Sequence, residues 1–153
     1  MSTIEQSIDV EVPVRTAYNQ WTQFEEFPRF MDGVESVQQL DDTHLRWAAK
    51  IAGVRREWDA EITEQTPDQR IAWQATSGTT NAGVITFHRL DEGKTRLMLQ
   101  LDVDPDGFLE TAGDALGLIK RRAKGDLERF KELIEDRREA SGAWRGEVDQ
   151  EAS

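Results

Sequence analysis

The chain holds two histidines, His44 and His88, and no cysteine, so side chains that titrate near neutrality or attack as thiolates are nearly absent. Disulfides, thiolate metal centres, iron–sulfur clusters and cysteine nucleophiles are thereby excluded. No acid, base and nucleophile recur at a spacing that would bring them together. The residues alone designate no catalytic set and no metal site, and they call for no cofactor. What they offer is rings: five tryptophans and six phenylalanines, with a dense run in WTQFEEFPRFMDGV, residues 21–34. Such a set either shapes an apolar core or recognises an apolar molecule. Which rings point inward decides between the two, and that depends on the elements that carry them.

From residue 3 to 12 the even positions Ile4, Ile8, Val10 and Val12 alternate with Glu5, Ser7, Asp9 and Glu11, the period of a half-buried strand. Pro13 follows, where a first helical turn tolerates a missing N–H, and Val14, Ala17, Tyr18, Trp21 and Phe24 recur at helical spacing. Pro28 disfavours helical geometry at Phe27, which predicts a break there and a short second helix ending near Asp32 and Gly33. Six further strands are predicted at about 34–40, 44–52, 54–66, 70–77, 82–90 and 94–103, separated by turn residues such as Ala52-Gly53 and Asp91-Glu92-Gly93. Connections this short make neighbours antiparallel. A helical apolar stripe closes the chain: Leu109, Ala112, Leu116, Ile119, Ala123, Leu127, Phe130 and Ile134. Gly113 and Gly117 weaken its first third. Residues 1–140 therefore read as one α+β domain, a curved seven-stranded antiparallel sheet around a long C-terminal helix with two short helices between strands 1 and 2. Residues 141–153 read as a disordered tail.

A two-residue turn at Ala52-Gly53 pairs Ala49 with Arg56, Trp47 with Trp58 and Leu45 with Ala60, leaving His44 and Glu61 outside. A three-residue turn at 91–93, with Gly93 left-handed in a bulge, pairs Leu90 with Lys94, Phe87 with Leu97 and Ile85 with Leu99, and puts His88 outside against Arg96. The inward face then carries Trp47, Trp58, Trp73, Phe87 and Leu99 beside the small Ala49, Ala60 and Ala75, plus one cation, Arg56. Rings beside small residues either interlock with the helix as ordinary core or line a cavity against it that includes Leu116; the pattern leaves both open. Arg56 needs an acid, water or an anionic ligand group, unless it lies at the sheet's end and reaches solvent.

The order of strand, two helices, six strands and long helix is that of the helix-grip, START-like fold, and three blocks resemble one branch of it. IDVEVPVRTAYNQWTQFEEFPRFMDGVESVQQLDD is similar to the opening of the polyketide cyclase/dehydrase and coenzyme-Q-binding-protein-like group, with its F-P-x-F motif. IAWQATSGTTNAGVITFHRLDEGKTRLMLQLDVDP resembles the same group's W-x-x-x-x-G, G-x-x-x-F and G-x-T-x-L run, and DLERFKELIE its last helix. The resemblance implies a central cavity that binds a hydrophobic small molecule such as a lipid, quinone or polyketide. It places Phe27, Phe30 and Met31 at the cavity's mouth as rim, whereas Trp21 and Phe24 continue the first helix's apolar stripe and read as core. It also implies an alternative, a polyketide cyclase or dehydratase using the same cavity, with Arg56, Tyr18, Thr86 and Ser77 as possible counterparts of that group's orienting arginine, tyrosine and hydroxyls.

Thirty acidic against nineteen basic residues give a net charge of -11, which disfavours nucleic acid and anionic bilayers as partners. No window approaches about 18 uninterrupted apolar residues, and the first ten residues lack a basic-then-apolar leader. The expectation is a cytoplasmic protein without stable membrane insertion. Lys120, Arg121, Arg122 and Lys124, close to Asp126, Glu128 and Glu132, read as a solvated helix face or a surface for an acidic protein partner. The sequence identifies no such partner.

Overall fold

The computed structural model describes residues 2–51, 53–77, 81–103 and 115–148. Strands β1 (Ser2–Val10), β2 (Val34–Gln39), β3 (His44–Ile51), β4 (Val54–Thr66), β5 (Arg70–Ser77), β6 (Asn81–Asp91) and β7 (Lys94–Val103) form one antiparallel sheet in the order β1-β7-β6-β5-β4-β3-β2. Strands consecutive in sequence are neighbours except β1 and β2, which take opposite edges. Between them, helix α1 (Val14–Trp21) packs on β6 and β7, and a 3-10 helix (Phe24–Arg29) lies beside β2. The sheet is curled into a half-barrel around helix α2 (Ala115–Arg137), the helix-grip arrangement.

The β3–β4 register is the one its turn implies: Ala49 opposite Arg56, Trp47 opposite Trp58, His44 opposite Glu61. The β6–β7 hairpin differs at its tip. Asp91, not Leu90, pairs with Lys94, and the register shifts between Arg89 and Asp91. Gly93 has no positive φ. The reason is Asp91, whose carboxylate accepts the Gly93 N–H at 2.8 Å and tightens the loop to two residues. Below the bulge, Phe87 faces Leu97 and His88 faces Arg96, as the turn chemistry implies.

The helix break also falls elsewhere than Pro28 suggests. The Thr22 hydroxyl donates to the Asn19 carbonyl at 2.6 Å, and Gln23 leaves helical geometry at φ -88°, ψ 70°. Pro28 instead sits inside the 3-10 helix, whose short repeat accommodates it. Phe30 is consequently turned into the core, buried against Phe130 at 5.2 Å and Trp21 at 5.7 Å. Phe130 in turn meets Trp21 at 5.0 Å. This aromatic cluster seats α2, whose stripe of Ile119, Ala123, Leu127, Phe130 and Ile134 is buried along its length. Leu109, Ala112 and Gly113 lie outside the described residues, as does the side chain of Leu116. Polar contacts fix the far end of the helix: Lys131 Nζ donates to the Asp9 carbonyl at 2.9 Å, and Glu135 accepts the Glu11 N–H at 2.8 Å.

The segment expected as a disordered tail instead straps the outside of the fold as far as Val148; residues 149–153 lie outside those described. Ser141 N–H donates to Gln20 Oε1, and Trp144 N–H to Thr22 Oγ1. The Arg145 guanidinium reaches Asn19 Oδ1 at 2.6 Å and Asp68 Oδ2 at 2.7 Å while standing over the Tyr18 ring. Val148 exchanges backbone bonds with Gln65. Polar composition suggests disorder, but Ser141, Trp144 and Arg145 each bond a specific partner on α1, at its C-cap or in the turn after β4. The substitution Arg145→Ala should therefore cost about 1 kcal/mol, the ion pair itself being partly screened. The check is a lower urea midpoint at an unchanged slope.

Candidate ligand cavity

Between α2 and the inner face of the sheet lies a cavity of about 170 Å³. Its walls follow from the register. Trp47 and Trp58 are direct cross-strand partners, and their indoles stack at 5.7 Å with planes 7° apart. Trp73 on β5 lies across Gly83 on β6, where a Cβ would stand 2.5 Å from the indole Cζ2. The missing side chain at 83 is what lets that ring lie flat over its neighbour. Ala49 leaves space between the rings, and Trp21, Phe24 and Phe27 close the end nearest α1. From α2 come Ile119, Ala123 and Leu127, together with two charged groups, Arg122 and Asp126.

Of the residues singled out from the sequence, Trp47, Trp58, Trp73 and Leu99 line this cavity, as do Phe27 and Met31. Phe87 does not: it is buried nearer α1, edge-on to Tyr18 at 5.3 Å, because its strand position falls under that helix. Phe30 is core, not rim, for the reason given above. Arg56 faces Ala49 across the strands and is half-buried, yet it is not among the lining side chains. Leu116 falls outside the described side chains. Trp21 and Phe24, assigned to the core alone, are both core and cavity wall. Tyr18 is buried away from the cavity, Thr86 bonds His88 on the outer face, and Ser77 bonds Asp59. His44 lies outside as well, bonded to Asp41 at 2.8 Å. Among the described residues, no group of three histidine or carboxylate side chains is placed to hold a metal.

The polar end of the cavity was not anticipated. Arg122 NH2 donates to the Asp32 carbonyl at 2.6 Å and the Lys50 carbonyl at 3.2 Å, latching α2 to the loop before β2 and to the end of β3. One turn on, Asp126 Oδ1 accepts from the Asp32 N–H at 3.0 Å and from Arg129 NH2 at 2.6 Å. Burial nevertheless dominates these donors and raises the Asp126 carboxyl above its ordinary pKa. A charge run hid Arg122 from sequence reading. The available signal was spacing, since 122 and 126 flank the apolar positions 119, 123 and 127 on one helix face.

A curled sheet gripping one helix over a ring-lined cavity defines a helix-grip protein with an interior built for apolar contact. The chain belongs to the polyketide cyclase / dehydrase and lipid transport family, which it matches over residues 10–132. It is 57% identical over 149 residues to an uncharacterized 17.2 kDa protein in the melC2-rnhH intergenic region of Streptomyces lincolnensis, covering 97% of this chain and 99% of that protein. The crystal structure of the Zhui aromatase/cyclase from a Streptomyces species superposes with a TM-score of 0.74 at 18% identity, covering 94% of this chain and 99% of that one. A START superfamily protein from Mycobacterium smegmatis gives 0.67 at 17% identity, covering 88% and 95%. At such identities these two likenesses concern the fold. No helix among the described residues is long and apolar enough to cross a membrane.

The latch makes a steric prediction. Gly33 and Gly53 both have left-handed backbones, φ 83° and 82°, but a Cβ at 33 would lie 1.6 Å from Arg122 NH2, whereas one at 53 meets nothing within 4 Å. Both alanine substitutions carry the left-handed cost of about 1–2 kcal/mol. Gly33→Ala should cost measurably more by denaturant titration, and replacing Arg122 as well should remove only part of the excess, because the same Cβ would stand 2.7 Å from the Lys50 carbonyl oxygen.

Opposite pH responses are also expected. Ionising Asp126, whose folded pKa is raised, favours the unfolded chain, so its contribution worsens as pH climbs from the ordinary aspartate range through the raised value. Asp41 is held down to about 2, first by the Thr43 backbone N–H and then by His44. Its contribution is present above the ordinary range and is lost as pH falls toward about 2. Carboxyl-carbon NMR titration should find the two midpoints on opposite sides of a free aspartate, and Arg129→Met should raise that of Asp126 further.

Proposed function

We propose that this protein binds a hydrophobic small molecule between α2 and the inner face of the sheet, for carriage or sequestration. The observation that carries this reading is the cavity itself: about 170 Å³ left open among tryptophans and small residues where an ordinary core would close. Family membership, which spans cyclases, dehydrases and lipid transport, supports ligand binding without choosing among those roles.

A cyclase or dehydratase is the second reading, favoured by the likeness to an aromatase/cyclase fold and by the charged pair at one end of the cavity. Ring closure between carbonyl-bearing carbons needs a group to remove a proton and another to stabilise or protonate the resulting oxygen. Among the described lining residues there is no hydroxyl and no imidazole; beside the indole N–H groups, of which that of Trp47 is buried without a hydrogen-bond partner, the polar side chains are Asp32, Asn81, Arg122 and Asp126. Asp126 and Arg122 are a carboxylate and a cation of the kinds those two steps require, so this reading turns on them, while no hydroxyl or imidazole stands beside them to relay the proton.

Purified protein extracted into organic solvent should release an apolar molecule detectable by mass spectrometry. Ala49→Leu, which places three further carbons in the space, should release none and should leave stability unchanged or higher. An empty extract from the wild type, with Ala49→Leu destabilised by the roughly 1–3 kcal/mol of an overpacked core, would overturn the proposal. Turnover of a polyketide substrate that disappears in Asp126→Asn would favour the second reading instead.

A further inference from the structure

Resting on the binding reading above, we infer that the ligand is a phenol: a single aromatic ring whose hydroxyl is held between Arg122 and Asp126. Size is the first argument. A cavity of about 170 Å³ is close to the roughly 150 Å³ apolar cavity that admits benzene, and smaller than the ~300–1,000 Å³ pockets of drug-sized ligands. Several fused rings or a long isoprenoid chain cannot be enclosed in it. Shape is the second, because the parallel indoles of Trp47 and Trp58 present a flat π-surface of the kind that offset-stacks with one planar ring.

The polar end is the third argument, and it selects the substituent. Arg122 and Asp126 stand one helical turn apart, so both reach the same side of α2, and both line the cavity. The two bonds to Asp126 end on Oδ1, and the two bonds from Arg122 leave from NH2. Asp126 Oδ2 and the NH1 and Nε groups of Arg122 therefore have no hydrogen-bond partner among the described residues, although the two charges attract one another. Their anchoring bonds hold an acceptor and a donor side by side. A hydroxyl matches that pair because it donates one hydrogen bond and accepts another. An ether only accepts and a hydrocarbon does neither, so each leaves part of the pair unsatisfied.

Isothermal titration calorimetry of the full chain with phenol, anisole and toluene tests this, with 2-naphthol and a four-ring anthracycline aglycone as size probes. Phenol should bind about tenfold tighter than anisole, the effect of one hydrogen bond, and the aglycone should not bind. In Asp126→Asn, where the side-chain oxygen still accepts from Asp32 and Arg129, the phenol-to-anisole ratio should fall toward one. Should that variant fail to fold, the wild-type ladder decides by itself. Equal affinity for phenol and anisole, or preference for the multi-ring probe, overturns the inference. If no probe binds while solvent extraction releases an apolar molecule, the phenol assignment falls and the binding function stands. If no probe binds and the extract is empty, both fall.

Discussion

The packing of Phe130 against Trp21 and Phe30 is the contact on which the rest of the structure depends. One helix must cover the inside of a seven-stranded sheet, and it can do so tightly only where large side chains fill the gap. The aromatic cluster fills it at the α1 end. Toward Ala49, Trp58 and Ile119 a small residue and stacked indoles line the inner face, and a cavity lies there between helix and sheet. A core anchor at one end and a container at the other are thus two results of the same side-chain distribution. The question of core or container, undecidable from the rings alone, is answered by position along the helix.

The open end is held by electrostatics instead of packing. Arg122 donates to the backbone carbonyls of Asp32 and Lys50, and Asp126 accepts a loop N–H together with the Arg129 guanidinium. Arg122 is half-buried, whereas burial outweighs the donors at Asp126 and offsets much of what its bonds contribute. Their energetic worth is correspondingly modest, but their geometric effect is larger: they fix the separation of α2 from the end of β3, and so the width of the cavity. Gly33 is part of this device because any Cβ would occupy the place of the guanidinium.

Much of the fold was legible because turn chemistry sets register. Ala52-Gly53 leaves one pairing for β3 and β4, and that pairing puts Trp47 on Trp58. Failures occurred where a side chain outside the pattern decided the outcome. Thr22, and not Pro28, ends α1; Asp91, and not Gly93, shapes the last hairpin. The strap around Arg145 looked like a tail because its partners, Asn19, Gln20 and Asp68, are distant in sequence and carry no periodic signal. Arg122 was lost in a run of four basic residues, three of which are exposed as expected of a solvated face. Composition described the run correctly and the one member that matters wrongly.

A void is itself an energetic argument. At roughly 24 cal/mol per Å³, a cavity of about 170 Å³ would cost at most about 4 kcal/mol if sealed and dry, out of the ~5–15 kcal/mol that stabilises a typical domain, and the opening to solvent at its mouth lowers that ceiling. Filling it needs no new fold, since a leucine at Ala49 or a larger residue at Ala123 adds carbons to the space. A chain with so direct a route to greater stability keeps the space open at a standing cost. The cost is removed when a molecule of matching size occupies the cavity, because ligand bound only to the folded state adds its binding free energy to stability. On the proposed binding function, occupancy and folding would be one equilibrium, with the stacked indoles of Trp47 and Trp58 covered by the bound molecule.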